Sequence, residues 1–105
     1  MITERMVFQA RYGRGDELVA WLKEIYDASP SMAEDVLGAR IYTDVTGTMF
    51  TVVAESDYAS LEALAAANAK QIAEYATADF QQRFARMTEL VERGERQLLN
   101  CERIR

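Results

Sequence analysis

Hydrophobic and polar positions alternate with two periods along this chain, and the switches between them predict its elements. From Ile2 to Tyr12 the period is two. Ile2, Glu4, Met6, Phe8, Ala10 and Tyr12 share one face, while Thr3, Arg5, Val7, Gln9 and Arg11 share the other. Gly13 and Gly15 break this strand, and Asp16 is placed to cap a helix over 16–28. Within it Leu18, Trp21, Leu22 and Ile25 fall at core-facing helical spacing. Ser29-Pro30 closes that helix, since the residue before proline disfavours helical backbone. Residues 31–37 read as a loop or a short helical turn. The two-residue period returns over 38–44, and Thr46-Gly47 reads as a tight turn into a second alternating run over 48–55, which makes an antiparallel hairpin. From Ser56 or Asp57 the spacing is helical again, through Leu61, Leu64, Ala65, Asn68, Ile72 and Tyr75. The helical region breaks near residues 77–79, where Asp79 and Gln82 have the spacing of a capping box. Phe80, Phe84, Met87 and Val91 then carry a further helix, Gly94 is placed as its C-cap, and a last strand is expected over 96–104.

The order β-α-β-β-α-β over one domain, residues 1–105, predicts an α+β, ferredoxin-like fold with an antiparallel sheet. One helical layer covers only one sheet face. Yet the strand-like runs Met6-Val7-Phe8, Met49-Phe50-Thr51-Val52-Val53 and Leu98-Leu99 place apolar residues on both. A second copy of the sheet would cover the bare face, so the expected partner is the chain itself, a homodimer through the sheet face. An interface of roughly 800 Å² per partner would suffice for a stable complex.

Composition removes most functional classes. With a net charge of −5 and arginines interleaved with glutamates near the C-terminal end, the chain offers no basic patch for nucleic acid. No run approaches the ~18–20 apolar residues of a membrane span. There is no histidine, which excludes a Ser-His-Asp triad, a histidine-ligated zinc or haem, and a histidine general base. Neither a metal nor another cofactor is expected. Cys101 is the only cysteine, so no intramolecular disulfide forms, and a reduced, cytoplasmic setting is expected. The preference for arginine over lysine and the alanine-rich composition fit a bacterial source.

The element order, the strand exit Tyr12-Gly13-Arg14-Gly15-Asp16-Glu17-Leu18, and the closing Phe80 with Leu90-Val91-Glu92-Arg93-Gly94-Glu95-Arg96 resemble the dimeric α+β barrel superfamily. Within it the chain is most similar to NIPSNAP-type proteins, with antibiotic-biosynthesis monooxygenase-type domains next. The resemblance implies a ferredoxin-like protomer that dimerises through its sheet and holds a small-molecule cavity between sheet and helices. It fixes no reaction, because the superfamily includes cofactor-free oxygenases, haem-degrading enzymes and isomerases. The haem-degrading members use a histidine ligand, which this chain lacks.

A cavity of this kind takes polar residues set among apolar strand positions. Arg5, Gln9, Arg40, Tyr42 and Thr51 are candidates to hold a small organic ligand, joined by Trp21 and Asn68 from the helices. Each has a plainer reading: Arg40/Asp44 and Arg5/Glu55 as cross-strand ion pairs, Trp21 as packing, and Asn68 as a satisfied buried amide. The residue types Trp21, Asn68, Tyr42 and Tyr75 are those that cofactor-free oxygenases of the superfamily place around aromatic substrates. Three functions follow as expectations: a small-molecule-binding dimer without an assigned reaction, a cofactor-independent monooxygenase or isomerase on an aromatic or polyketide-like substrate, and a non-catalytic structural or regulatory dimer.

Overall fold

The computed structural model describes residues 1–105, and its first two strands begin where the alternation begins, whereas the last strand starts at Val91, which the spacing places in a helix, and ends at Asn100 rather than 104. Strand β1 spans Ile2–Ala10, helix α1 Gly15–Ala28 and helix α2 Pro30–Asp35. Strands β2 (Gly38–Thr43) and β3 (Thr51–Tyr58) follow, then helices α3 (Leu61–Tyr75), α4 (Ala78–Ala85) and α5 (Met87–Leu90), and strand β4 (Val91–Asn100). The sheet order is β2-β3-β1-β4, with every neighbouring pair antiparallel. This is the ferredoxin-like arrangement that the element order predicts.

The helices lie on one face of the sheet. Phe8, Ala10, Val52 and Ala54 from that face pack with Leu18, Trp21, Leu22 and Ile25 of α1, Phe80 of α4 and Leu90 of α5 in one buried cluster. A smaller cluster of Tyr58, Leu64 and Ala67 anchors α3 at the other end. The break in the helical region falls as expected, between Tyr75 and Ala78. Its cap is Thr77 rather than Asp79, the Thr77 hydroxyl accepting from the Phe80 N–H. The helix after it carries Asp79 in its first turn, where a carboxylate suits the helix dipole.

Several boundaries differ from the sequence expectation, each for a local reason. Arg14, not Asp16, occupies the N-cap of α1, and no side chain caps it. The chain enters through Gly13 at φ +78°, which starts the helix early and leaves Asp16 inside the first turn. Pro30 opens α2 at its first turn, where a missing N–H costs nothing. The β2–β3 connection is longer than a two-residue turn. The Asp44 N–H donates to Thr51 O at 3.2 Å and the Asp44 carboxylate accepts from the Thr51 N–H at 3.1 Å, so the loop closes there. Strand β3 therefore starts three residues later than the alternation suggested. Phe50 sits in the left-handed region at φ 60°, its ring held edge-on against Tyr12 with centroids 5.0 Å apart. The strand continues through Asp57 and Tyr58, and the helical region starts only at Leu61, capped by the Ser60 hydroxyl.

Gly94 is not a helix cap. It lies within β4 opposite Phe8, and a Cβ there would meet the Phe8 ring at 3.1 Å. Phe8 needs the bare backbone to lie flat on the sheet, which is a packing demand that a helix-end pattern imitates.

The uncovered sheet face is more polar than the sequence suggested, because Met49, in phase with Thr51 and Val53, falls outside β3. It carries Thr3, Arg5, Val7 and Gln9 of β1, Thr51, Val53, Glu55 and Asp57 of β3, and Arg40 and Tyr42 of β2, by the register of the pairs. No helix of the fold is long and apolar enough to cross a membrane.

Candidate functional site

Between the sheet and the helices lies a cavity of about 430 Å³, inside the range of about 300–1,000 Å³ usual for ligand sites. Its floor is the helix-facing side of β1, with Glu4, Met6 and Phe8. Trp21, Leu22, Ile25 and Tyr26 of α1 form one wall, and Asn68, Gln71, Ile72 and Tyr75 of α3 the other. Met32 of α2, Phe84 of α4, Met87 of α5 and Arg96 of β4 complete it. The lining is mostly apolar and aromatic. Tyr75 meets Phe84 edge-on at 5.0 Å between ring centroids, and Trp21 meets Phe84 at 5.9 Å.

The polar groups in this cavity divide by whether the protein already satisfies them. The Trp21 Nε1–H donates to the Arg83 carbonyl at 2.8 Å, so the indole ties α1 to α4 and its N–H is not free for a ligand. The Tyr26 hydroxyl shares a 2.7 Å hydrogen bond with the Ser56 hydroxyl. Arg96 donates through Nε to Glu4 Oε2 at 2.9 Å, and its Nη2 lies 2.6 Å from the same oxygen, so this pair is satisfied only in part: Glu4 Oε1 and Arg96 Nη1 have no protein partner. By contrast, the Asn68 amide and the Tyr75 hydroxyl line the cavity without hydrogen bonds to the protein. Burial pushes the Tyr75 hydroxyl up to about 12, so it stays protonated and able to donate at neutral pH.

Of the sequence candidates, Trp21 and Asn68 line this cavity. Arg5, Gln9, Arg40, Tyr42 and Thr51 stand on the opposite, uncovered face of the sheet, as the register requires. There Arg40 is the centre of a charged lattice. It bonds Asp57 through two nitrogens at 2.7 and 3.2 Å, Glu55 at 2.8 Å and the Tyr42 hydroxyl at 3.0 Å. Arg5 approaches Glu55 at 3.7 Å, and the Thr3 hydroxyl donates to Asp57 at 2.7 Å. The hydrogen bonds from Arg40 hold the Asp57 carboxyl below its ordinary range, with that from Thr3 adding to them against the opposing effect of burial. Arg40 thus pairs with Glu55 and Asp57, not with Asp44, which is engaged in closing the hairpin loop. Gln9 donates to the Met49 carbonyl at 2.7 Å and the Thr51 hydroxyl to Thr48 at 2.8 Å, both shaping that loop.

Sequence reasoning passed over Glu4, Met32, Gln71 and Arg96. Glu4 had a legible signal, a lone charge in phase with Met6, Phe8 and Ala10. Met32 and Gln71 had none, because only the packing of α2 against α3 brings them to the same wall. No cluster of three or more histidine, cysteine, aspartate or glutamate side chains is arranged to hold a metal ion.

A ferredoxin-like α+β domain with a ligand-sized, aromatic cavity between sheet and helices is the class that this fold and site define. A NIPSNAP family protein from Agrobacterium tumefaciens shares the fold with a TM-score of 0.74 at 22% identity, over 98% of this chain and 94% of that one. An uncharacterised NIPSNAP domain protein from Burkholderia xenovorans gives a TM-score of 0.70 at 20% identity, over 99% and 97%. A protein assigned to the antibiotic biosynthesis monooxygenases, from Deinococcus radiodurans, gives 0.67 at 13% identity, over 98% and 94%. At these identities the likeness is one of fold. No protein-family model matches the chain, and no curated protein sequence matches it significantly.

Proposed function

We infer that this chain is a NIPSNAP-like protein that binds a small, mostly apolar organic molecule between its sheet and its helices, and that it works as a homodimer paired through the uncovered sheet face. The observation that carries the binding reading is the cavity itself: about 430 Å³ walled by aromatic and aliphatic side chains, with the Asn68 amide and the Tyr75 hydroxyl left over inside it. Met6, Tyr75, Phe84 and Met87 on its walls are only half-buried, so apolar lining is left for a ligand to cover. The dimer reading is supported by the sheet face opposite the helices, where Val7, Tyr42 and Leu99 stand among the charged groups. Leu99 there is 41% and Tyr42 50% exposed.

A ligand that binds only the folded chain raises its stability by RT ln(1 + [L]/Kd), or about 2.7 kcal/mol at a hundredfold excess over Kd. Trp21, the only tryptophan, lies in the cavity wall. A genuine ligand is therefore expected to raise the melting temperature and to change the tryptophan fluorescence in parallel. A panel of aromatic and aliphatic ligands that shifts neither would overturn the reading. Sedimentation equilibrium at micromolar concentration is expected to show twice the 11.9 kDa protomer mass; a single protomer species would remove the dimer.

Asn68 and Tyr75, two hydrogen-bonding groups free on one face of α3, also favour a second reading: a cofactor-independent monooxygenase or isomerase that orients an aromatic substrate between them. Oxygen uptake or isomerisation with a ligand found by the thermal screen tests it. Binding without turnover leaves the binding protein alone.

A further inference from the structure

Glu4 is a charged residue in an apolar layer. It stands between Ile2 and Met6 on the helix-facing side of β1, opposite Ser56 of β3 and Leu98 of β4, and it is only 8% exposed. Arg96 reaches it from two residues along β4, opposite Met6, and both of the close nitrogens fall on a single carboxylate oxygen, Oε2. A closed structural pair would take the fork-to-fork geometry, with one N–H on each oxygen. Here Oε1 meets no protein donor, and Arg96 keeps the N–H groups of Nη1 unspent. Both residues line the cavity.

The result is an acceptor and a donor side by side on the cavity wall, with no net charge between them. An anionic ligand would meet the open Glu4 oxygen, and a cationic one would meet Arg96. A neutral group with a donor next to an acceptor satisfies both. Stability alone does not account for the pair: the Glu4 side chain is 10% exposed but that of Arg96 is 52%, and an ion pair open to solvent on one side adds only about 0–1 kcal/mol.

We propose that Glu4 and Arg96 form the polar anchor of the cavity, and that the ligand is a planar, mostly apolar molecule with a neutral donor–acceptor edge, an N–H or O–H beside a C=O, as in an aromatic lactam. The donor meets Glu4 Oε1 and the carbonyl meets Arg96, while the ring system lies among Met6, Phe8, Trp21 and Phe84. This inference rests on the cavity-binding reading and adds the ligand's chemistry to it.

The test measures binding of four probes by calorimetry, with Trp21 fluorescence to locate them: naphthalene, carbostyril (a two-ring lactam), N-methylcarbostyril, and the isomer methylated on ring carbon. Naphthalene reports the cavity alone. Carbostyril and its carbon-methylated isomer are expected to bind at least about tenfold tighter than the N-methyl compound, the loss expected when a charged acceptor loses its donor. In Glu4→Leu, which removes the acceptor and is checked for folding by circular dichroism, that preference is expected to fall below about threefold. Equal binding of carbostyril and N-methylcarbostyril, with naphthalene still bound, would overturn the anchor and leave the cavity reading standing. A preference that survives in Glu4→Leu would place the recognition elsewhere and overturn it too. Failure of all four probes to bind would take down both readings. The comparison of the two lactams on the unaltered protein stands even if the variant does not fold.

Discussion

Trp21→Ala is expected to cost about 4 kcal/mol, within the span usual for removing a buried aromatic ring. Trp21 is 3% exposed and belongs to the main core cluster. Its ring is packed edge-on against Phe84, and its N–H holds the Arg83 carbonyl in the last turn of α4 at 2.8 Å. Alanine would remove the ring, enlarge a cavity that is already open, and strip the carbonyl of its donor. For a domain of this size the melting temperature should fall by roughly 15–30 °C, enough to consume much of a total stability of about 5–15 kcal/mol. Trp21→Phe separates the two contributions, because it keeps most of the ring and loses only the N–H. Its expected cost is about 1–2 kcal/mol. Chemical denaturation followed by circular dichroism measures both variants. A loss below about 1 kcal/mol in Trp21→Ala would mean the indole is a loose cavity group rather than the tie between α1 and α4.

Glu74→Ala is expected to cost about 2–4 kcal/mol, the penalty for several buried donors losing their acceptor together. The Glu74 carboxylate on α3 accepts from the Ser29 hydroxyl at 2.5 Å, from the Ser31 N–H at 2.9 Å and from the Ser31 hydroxyl at 3.0 Å. Ser29 and Ser31 are 2% and 1% exposed, so water is poorly placed to replace it. In effect the side chain from α3 caps the N-terminus of α2, a service that the Ser29 side chain does not perform for its own helix. Since α2 carries Met32 into the cavity wall, loosening it should also weaken ligand binding.

The same carboxylate gives a pH dependence with a definite sign. Burial alone would raise the Glu74 carboxyl, but the bonds from Ser29 and Ser31 outweigh it and hold the group below its ordinary value of 4.5. A depressed folded-state value means that the stabilisation is fully present above the unfolded value and is lost as pH falls through the folded one. Stability should therefore drop on acidification below about pH 5, with Asp57 on the opposite sheet face contributing in the same sense. Glu74→Gln removes the Glu74 part of that slope and leaves the part due to Asp57. Urea unfolding at a series of pH values measures it, and an unchanged slope in Glu74→Gln would show that the carboxylate does not carry the effect.

The elements themselves were legible in the sequence, because they depend on periodicities that no distant contact alters. The phases of β1, the core-facing stripe Leu18, Trp21, Leu22 and Ile25, and the helical break near residues 77–79 all stand in the structure as the spacing predicts. Gly94 was misread because glycine serves a helix end and a ring-stacking strand alike, and only the register against Phe8 distinguishes them. The start of β3 moved because Phe50 takes a left-handed backbone that its sequence neighbours do not announce.

For the site, alternation put Arg5 and Gln9 on one face of β1 and Glu4 and Met6 on the other, but it did not say which face the helices would cover. That choice belongs to the tertiary structure. The helices pack on the face that carries Phe8, Ala10, Val52 and Ala54, and the opposite face is left to the lattice around Arg40. The sequence by itself determined the order and type of the elements and excluded any chemistry that needs a histidine. The tertiary structure alone decided that a lone acid in an apolar strand phase meets an arginine ninety-two residues away at the wall of a cavity, because a sheet register joins positions that no local period relates.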